Sequence, residues 1–341
     1  MMILVDAMGG DNAPEAIVKG CIEALNTEDG FCVTLIGDRP SIEKVLVEEK
    51  YDANRLFIRH TSEVITNDDS PTKAIRSKPD SSLVVGFNML KEKEGDVFIS
   101  AGSSGALLAA SVMILKRIKG VERPAVGSVI PTKKGKILLL DSGLNHTCRA
   151  SHYVQFGYLG AAYMKSAFGI ENPRVGLINI GTEDEKGTDV VREANVMLRE
   201  SRLNYVGNIE SRDLFDGITD IAVTDGFTGN VILKLVEGAS SFFVGELKSM
   251  LFANLKSKMA ALMLKKGLDG FKRKIDPDVN GGAPILGIDG LVIKSHGSSK
   301  ARTIKYVVLK AKVLASGNFI EDLKHDFLTV PKEEPSEKTE A

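Results

Sequence analysis

Within its first third the chain repeats one pattern: a short apolar run, a polar turn and a longer stretch of helical period. The runs are Met2 to Ala7, Cys32 to Asp38, Leu56 to His60 and DVFIS at Asp96 to Ser100. Strands that alternate with helices predict an α/β, Rossmann-like, mostly parallel sheet covered on both faces, because parallel neighbours need crossovers that pack on the sheet. Further on, AVGSVI and KILLLD read as a strand pair, Thr147 to Ala167 as a helix, and RVGLINI, NYVGNI and DIAVTD as strands. EDEKGTDVVREANVMLRE reads as a helix, LVIKS as a short strand ending at His296, and Lys300 to about Phe327 as one long amphipathic helix. The charged, proline-bearing end, PKEEPSEKTEA, is expected to be disordered. The expected organisation is one α/β unit over residues 1–328, with a helical insertion at about 240–275 and a tail at 329–341.

Ligand chemistry in such a sheet gathers outside the carboxyl ends of its strands. Five strand exits, DAMGGD, ISAGSSG, LLLDSGLNH, INIGTEDEKG and AVTDGFTGN, carry glycine together with Asp, Asn, Ser or Thr. Gly9, Gly10 and Asp11 belong to the first, and Asp225, Thr228 and Gly229 to the last. Taken together they predict a composite anion or phosphate site. The second exit, Gly102, Ser103, Ser104 and Gly105, runs straight into the apolar helix ALLAASVMILK. Such a turn lets backbone approach a ligand and aims helical N–H groups at it, although a tight turn with a serine cap has the same sequence.

Several chemistries are excluded or weakened. With net charge −1 there is no global reason to expect nucleic acid. Cys21, Cys32 and Cys148 form no CxxC pair, which argues against a disulfide framework or a zinc site and fits a reducing cytoplasm. GxxxxGK[ST], GxGxxG after the first strand and HExxH are all missing, so no nucleotide cofactor or catalytic metal is expected. One alternative survives. Ala101, Ser103 and Gly105 spell AxSxG, and Asp225 and His296 follow in the order of a serine α/β-hydrolase acting on lipid esters or thioesters.

After Gly229 the pattern changes. NVILKLVEGASSFFVGELKSMLFANLKSKMAALMLKKG is helical in length but apolar on most faces, so it needs a partner. MAALML, with Leu262, lies between Lys256 and Lys258 on one side and Lys265 and Lys266 on the other, with Lys272 and Arg273 close behind. An apolar tip ringed by lysines suits an anionic membrane surface or an acidic protein, and a helical hairpin buried in a dimer is the other reading.

ILVDAMGGD, ISAGSSGALLA, RPA at Arg123 to Ala125, LLLDSGLN, RVGLINIGTEDEKG, VTDGFTGNVILKLVEG and GGAPILGIDGLVIKSHGSS occur in one order from Ile3 to about Phe327. As a set they resemble the bacterial phosphate acyltransferase family, the acyl-acyl carrier protein:phosphate transacylases. Two departures stand out: Ser103-Ser104 where that family usually has Asn-Thr, and Leu144 where it has a small residue. The resemblance implies transfer of a long-chain acyl group from acyl carrier protein to inorganic phosphate, with no metal or nucleotide, for phospholipid synthesis. It also implies a fold like the isocitrate and isopropylmalate dehydrogenases and the phosphotransacetylases, in a homodimer peripherally attached to the membrane. A third possibility is a non-enzymatic carrier-protein or membrane adaptor.

Phosphate is already a nucleophile near neutral pH, so such a site has to hold an anion against a carbonyl and stabilise the oxyanion that forms. Lys186 is the expected cation, Asn230 the expected amide donor, and Thr228 with Gly229 further donors. Asn145 and His296 are secondary donors or proton carriers, while Asp225 and Asp6 orient these groups.

Overall fold

A computed structural model of the chain describes residues 1–275, 281–317 and 319–329, excluding the side chains of 269, 272–275 and 325–329. The charged tail therefore lies outside the described residues. The strands are β1 Met2–Asp6, β2 Cys32–Gly37, β3 Leu56–His60, β4 Val97–Ser100, β5 Ala125–Thr132, β6 Gly135–Leu140, β7 Arg174–Asn179, β8 Asn204–Glu210, β9 Ile221–Val223, β10 Ala283–Leu286 and β11 Val292–Lys294. All join one sheet in the order β3-β2-β1-β4-β11-β10-β5-β6-β9-β7-β8.

The sheet is mostly parallel, as its alternation with helices predicts, and β5 and β6 pair as expected. Three antiparallel neighbours interrupt it at the centre: β11 with β10, β10 with β5, and β5 with β6. An odd number of reversals turns one half of the sheet against the other. β1, β4 and β11 run one way, and β6, β9 and β7 the opposite way. The composite pocket expected from five strand exits is thereby divided between the two ends of the sheet. Strand β10, which makes two of the three reversals, has no counterpart in the sequence reading; APIL sits between glycines and is too short to show a period.

Strict alternation makes the strands two-faced. Ile3, Val5, Val97, Ile99, Leu138 and Leu140 enter one core. Their neighbours Leu4 and Phe98 enter a second on the other face, and Ile137 and Leu139 a third. The helices Glu15–Leu25 and Ala301–Ala315 lie against the first core and cross closely, since a Cβ on Gly20 would stand 2.5 Å from the carbonyl oxygen of Ala301.

Helix boundaries differ from expectation where local chemistry intervenes. The expected helix from Thr147 begins at Ala150, where the Nδ1 of His152 accepts from the backbone N–H of Arg149 at 3.1 Å. EDEKG is a loop and the helix starts at Asp189. Gly187 is left-handed (φ 92°), the Asn179 amide holds the Lys186 carbonyl at 3.0 Å, and Thr188 caps the first turn. The long C-terminal helix is two, Ala301–Ala315 and Phe319–Thr329, broken after Ser316 and Gly317. The helix Pro71–Ser77, for which the sequence shows no sufficient period, adds a further element.

In place of a two-armed hairpin the chain forms three successive helices, Gly226–Phe252, Leu255–Met263 and Lys265–Ile275. Asn254 restarts the second by accepting from the backbone of Ser257 at 2.9 Å. The first covers the third core only with Ile232, Leu233 and Val236. Phe227, Val231 and Leu235, spaced by four and so on one stripe, remain exposed.

Candidate active site

At one end of the sheet, the buried carboxylate of Asp6 closes β1 by accepting from the Ser100 hydroxyl (2.7 Å) and the backbone of Met8 (3.1 Å). Burial pushes this carboxyl up, against the pull of Ser82 and Ser100. Ser100 accepts in turn from the backbone N–H of Gly102 at 3.0 Å. A Cβ on Gly9 would meet the Gly102 nitrogen at 2.7 Å, Gly10 is left-handed (φ 100°), and the Asp11 N–H donates to the carbonyl of Gly297 at 2.8 Å. Glycine here lets three loops pack backbone on backbone, and at Gly105 it makes room for Pro71, whose Cγ lies 2.9 Å from a Cβ placed there. The turn expected to cradle an anion therefore has its Gly102 N–H committed. Ser103 is partly buried and Ser104 exposed, where the helix Ser104–Ala110 begins.

At the opposite end, Asp141 follows β6 and is fully buried. Its carboxylate accepts from five N–H groups: the backbones of Val126 (3.1 Å), Gly143 (3.2 Å), Leu144 (3.1 Å) and Asn145 (2.6 Å), and the Asn145 amide (2.8 Å). Burial pushes the Asp141 carboxyl up, and these donors oppose it. The loop so fixed is the seat for the helix that follows β9. The Gly226 N–H donates to the Asn145 carbonyl at 2.7 Å, and a Cβ on Gly229 would fall 1.9 Å from the Asp141 carbonyl oxygen. Asp225 caps that helix, accepting from the Thr228 N–H (2.8 Å) and hydroxyl (3.0 Å), and Tyr153 donates to it at 3.3 Å. The Tyr153 hydroxyl is raised by burial and by Asp225. Burial, Asp141 and Asp225 together push the Cys148 thiol up to about 12, so it stays protonated and is no nucleophile.

These hydrogen bonds sort the expected site residues. Both amide hydrogens of Asn145 are engaged, by Asp141 and by the Pro124 carbonyl (2.8 Å), so Asn145 positions the loop and has no donor to spare. Thr228 is spent on Asp225, and the Gly229 N–H on the Asp225 carbonyl (2.9 Å). Lys186 and Asn230 differ. Lys186 lies in the loop after β7 and Asn230 early in the helix that follows the adjacent parallel strand β9; both are exposed, and neither side chain's polar end bonds a described residue.

His296 is at the far end with Gly9, Gly10 and Asp11, its Nδ1 2.9 Å from the Ser298 hydroxyl. Ser103 and His296 follow neighbouring strands, but Asp225 caps a helix at the other end of the sheet, so the serine hydrolase triad is not assembled. Asp141 was not among the expected site residues. Its signal is a lone aspartate closing an apolar strand ahead of SGLN, the counterpart of Asp6 ahead of AMGG.

The family model described as fatty acid synthesis protein matches residues 1–322. A phosphate acyltransferase of Acetivibrio thermocellus is 54% identical over 334 residues, covering 98% of both chains. One of Alkaliphilus oremlandii is 46% identical over 323 residues, covering 95% of this chain and 96% of its own. Among solved structures, a phosphotransacetylase from Streptococcus pyogenes is similar with a TM-score of 0.63 at 15% identity, covering 92% of this chain and 94% of its own. A 4-hydroxythreonine-4-phosphate dehydrogenase from Klebsiella pneumoniae follows at 0.54 and 13%, covering 92% of this chain and 99% of its own. At such identities the likeness is one of fold, and it agrees with the phosphotransacetylase-like architecture expected from the sequence.

Proposed function

The chain belongs to the fatty acid synthesis protein family and is an acyltransferase, and we propose that it moves a long-chain acyl group from acyl carrier protein to inorganic phosphate. The end-to-end match to a phosphate acyltransferase at 54% identity carries this reading. In the reaction a phosphate oxygen attacks the thioester carbonyl carbon, the resulting oxyanion collapses, the C–S bond breaks and the carrier thiolate takes up a proton. The acyl phosphate then serves phospholipid synthesis.

Lys186 holds the phosphate dianion or the oxyanion, and Asn230 donates to the carbonyl oxygen. Support comes from their uncommitted polar ends, Lys186 in the loop after β7 and Asn230 early in the 27-residue helix that follows the adjacent strand β9, a helix whose N-terminus favours negative charge. Asp141, Asn145 and Asp225 act through the loop and helix cap that position Asn230. Ser103, Ser104, Gly9, Gly10 and Asp11 at the other end of the sheet shape the fold or a more distant part of the substrate site.

One assay tests the function. Acyl carrier protein thioester is incubated with and without phosphate, and thiol release that depends on phosphate is expected. Phosphate-independent release abolished by Ser103→Ala would replace the proposal with hydrolysis, and no release would replace it with an adaptor role.

The protein works as a homodimer at the membrane periphery, within the cytoplasm. No helix among the described residues is long and apolar enough to cross a membrane. The exposed stripe Phe227, Val231 and Leu235 is available to a second copy. Leu262 and Met263, 71% and 88% exposed, project between the exposed lysines Lys258, Lys265 and Lys266, the arrangement an anionic bilayer or an acidic carrier protein would meet. The side chains of Lys272 and Arg273 lie outside the described residues. Leu262→Glu is expected to reduce co-sedimentation with anionic liposomes while the unfolding temperature stays unchanged; undiminished sedimentation would remove the membrane role.

A further inference from the structure

A cavity of about 260 Å³ lies away from both strand-exit clusters, between the end of the helix Ala150–Phe168 and the helix Ala301–Ala315. Its distance from Tyr153, on the catalytic side of the first of these helices, is roughly 20 Å by the rise of 1.5 Å per residue. Phe168, Tyr306, Leu309 and Val313 give it apolar walls, and Lys136 and Lys310 also line it. The Lys136 ammonium stands 4.9 Å from the centre of the Phe168 ring, and that of Lys310 5.9 Å from the Tyr163 ring. Lys310 donates to the Gly282 carbonyl at 2.7 Å, and no carboxylate among the described residues pairs with either ammonium. The one acidic group in the lining, Glu28, is held by Lys312 at 2.7 Å. The Tyr163 hydroxyl, on the ring beneath Lys310, is buried without a hydrogen-bond partner.

Lys310 lies among apolar groups with one backbone carbonyl as its hydrogen-bond partner, while Lys136 stays exposed at the cavity's open side, so an anion between them would return to Lys310 part of the hydration it has lost. Consistent with that loss, burial first and then the charge of Lys136 push the Lys310 ammonium down to about 7. Apolar walls without a cation would suit a neutral ligand, and cations on an open surface a bare anion. The combination selects a molecule that is both. The volume corresponds to about nine water-sized units at roughly 30 Å³ each, enough for a charged head and a short alkyl chain.

We propose that this cavity binds a single-chain amphiphile with an anionic head, carboxylate or phosphate, held between Lys136 and Lys310 with its chain along Phe168, Tyr306, Leu309 and Val313.

Calorimetric titration of the full chain tests this with octanoate and octyl phosphate, and with octanol, acetate and inorganic phosphate as probes of chain and head alone. At least one of the first two is expected to bind tenfold or more tightly than each of the last three, and which one it is identifies the head as carboxylate or phosphate. Lys136→Met and Lys310→Met should each weaken that binding at least tenfold. Val313→Trp, a surface change that fills the mouth without touching a charge, should do the same even if a lysine variant folds poorly. Lys186→Ala should leave it unchanged, which separates this cavity from the catalytic groups. Absence of binding by both amphiphiles, equal binding of inorganic phosphate, or binding unaffected by Val313→Trp would each overturn the proposal.

Discussion

Asp141→Ala is expected to lower the unfolding midpoint by roughly 5 °C or more, a loss of about 3 kcal/mol for stranding several buried donors at once. The reason is geometric. The carboxylate is the common acceptor for the backbones of Val126, Gly143, Leu144 and Asn145 and for the Asn145 amide. An alanine fills little of the space and accepts from none of them. The damage should extend to acyl transfer, because Gly143 lies against Asn230 and the Asn145 carbonyl receives the Gly226 N–H. Asp141→Asn tests the same point more gently. It keeps the volume but turns an NH₂ group toward donors, so it too should be less stable than the parent. Thermal unfolding and phosphate-dependent thiol release measured on the same preparation check this; an unchanged midpoint in both variants would show that the loop does not depend on the carboxylate.

Lys186→Ala is expected to reduce acyl phosphate formation more than tenfold, or about 1.4 kcal/mol in the barrier, with no change in unfolding temperature. Stability should be indifferent because the ammonium is exposed and bonds no described residue. The kinetic constants separate two roles. If Lys186 holds phosphate in the ground state, KM for phosphate rises; if it meets only the oxyanion, kcat falls and that KM stays. Lys186→Arg should recover part of the activity in the first case, since guanidinium also binds phosphate. Turnover near that of the parent would remove Lys186 from the mechanism.

Much of the fold is legible in the chain because its signals are local. A buried strand is a short apolar run, and β1, β2, β3, β4 and β7 fall within a residue or two of where such runs begin and end. The loop at 183–187 is harder to read. Its acidic and basic residues look like a solvated helix start, and only the left-handed Gly187 with the Asn179 bridge makes it a loop. The break after Ser316 is similar, since an amphipathic stripe continues on both sides of it. The lining of the candidate site divides in the same way. Lys186 and Asn230 are visible as polar residues at strand exits, whereas the commitment of Asn145, Thr228 and Gly229 to internal hydrogen bonds depends on partners far along the chain or across a turn.

By itself the amino-acid sequence determined which segments become strands, β10 excepted, which exits carry polar groups, and, through its ordered motifs, the family. Hydrophobic period and turn chemistry act over a few residues, so each is written where it operates. The tertiary structure alone decided that the five exits face two ways. That outcome follows from three antiparallel pairings at the centre of the sheet, two of them made by the strand Ala283–Leu286, whose direction is set by hydrogen bonding to β11 and β5 and not by any property of its own four residues. Tertiary structure likewise separated Asp225 from Ser103 and His296, and brought Lys136 to Lys310 across 174 residues of chain. Such contacts are fixed by the packing of the whole sheet and its helices, which no local pattern encodes.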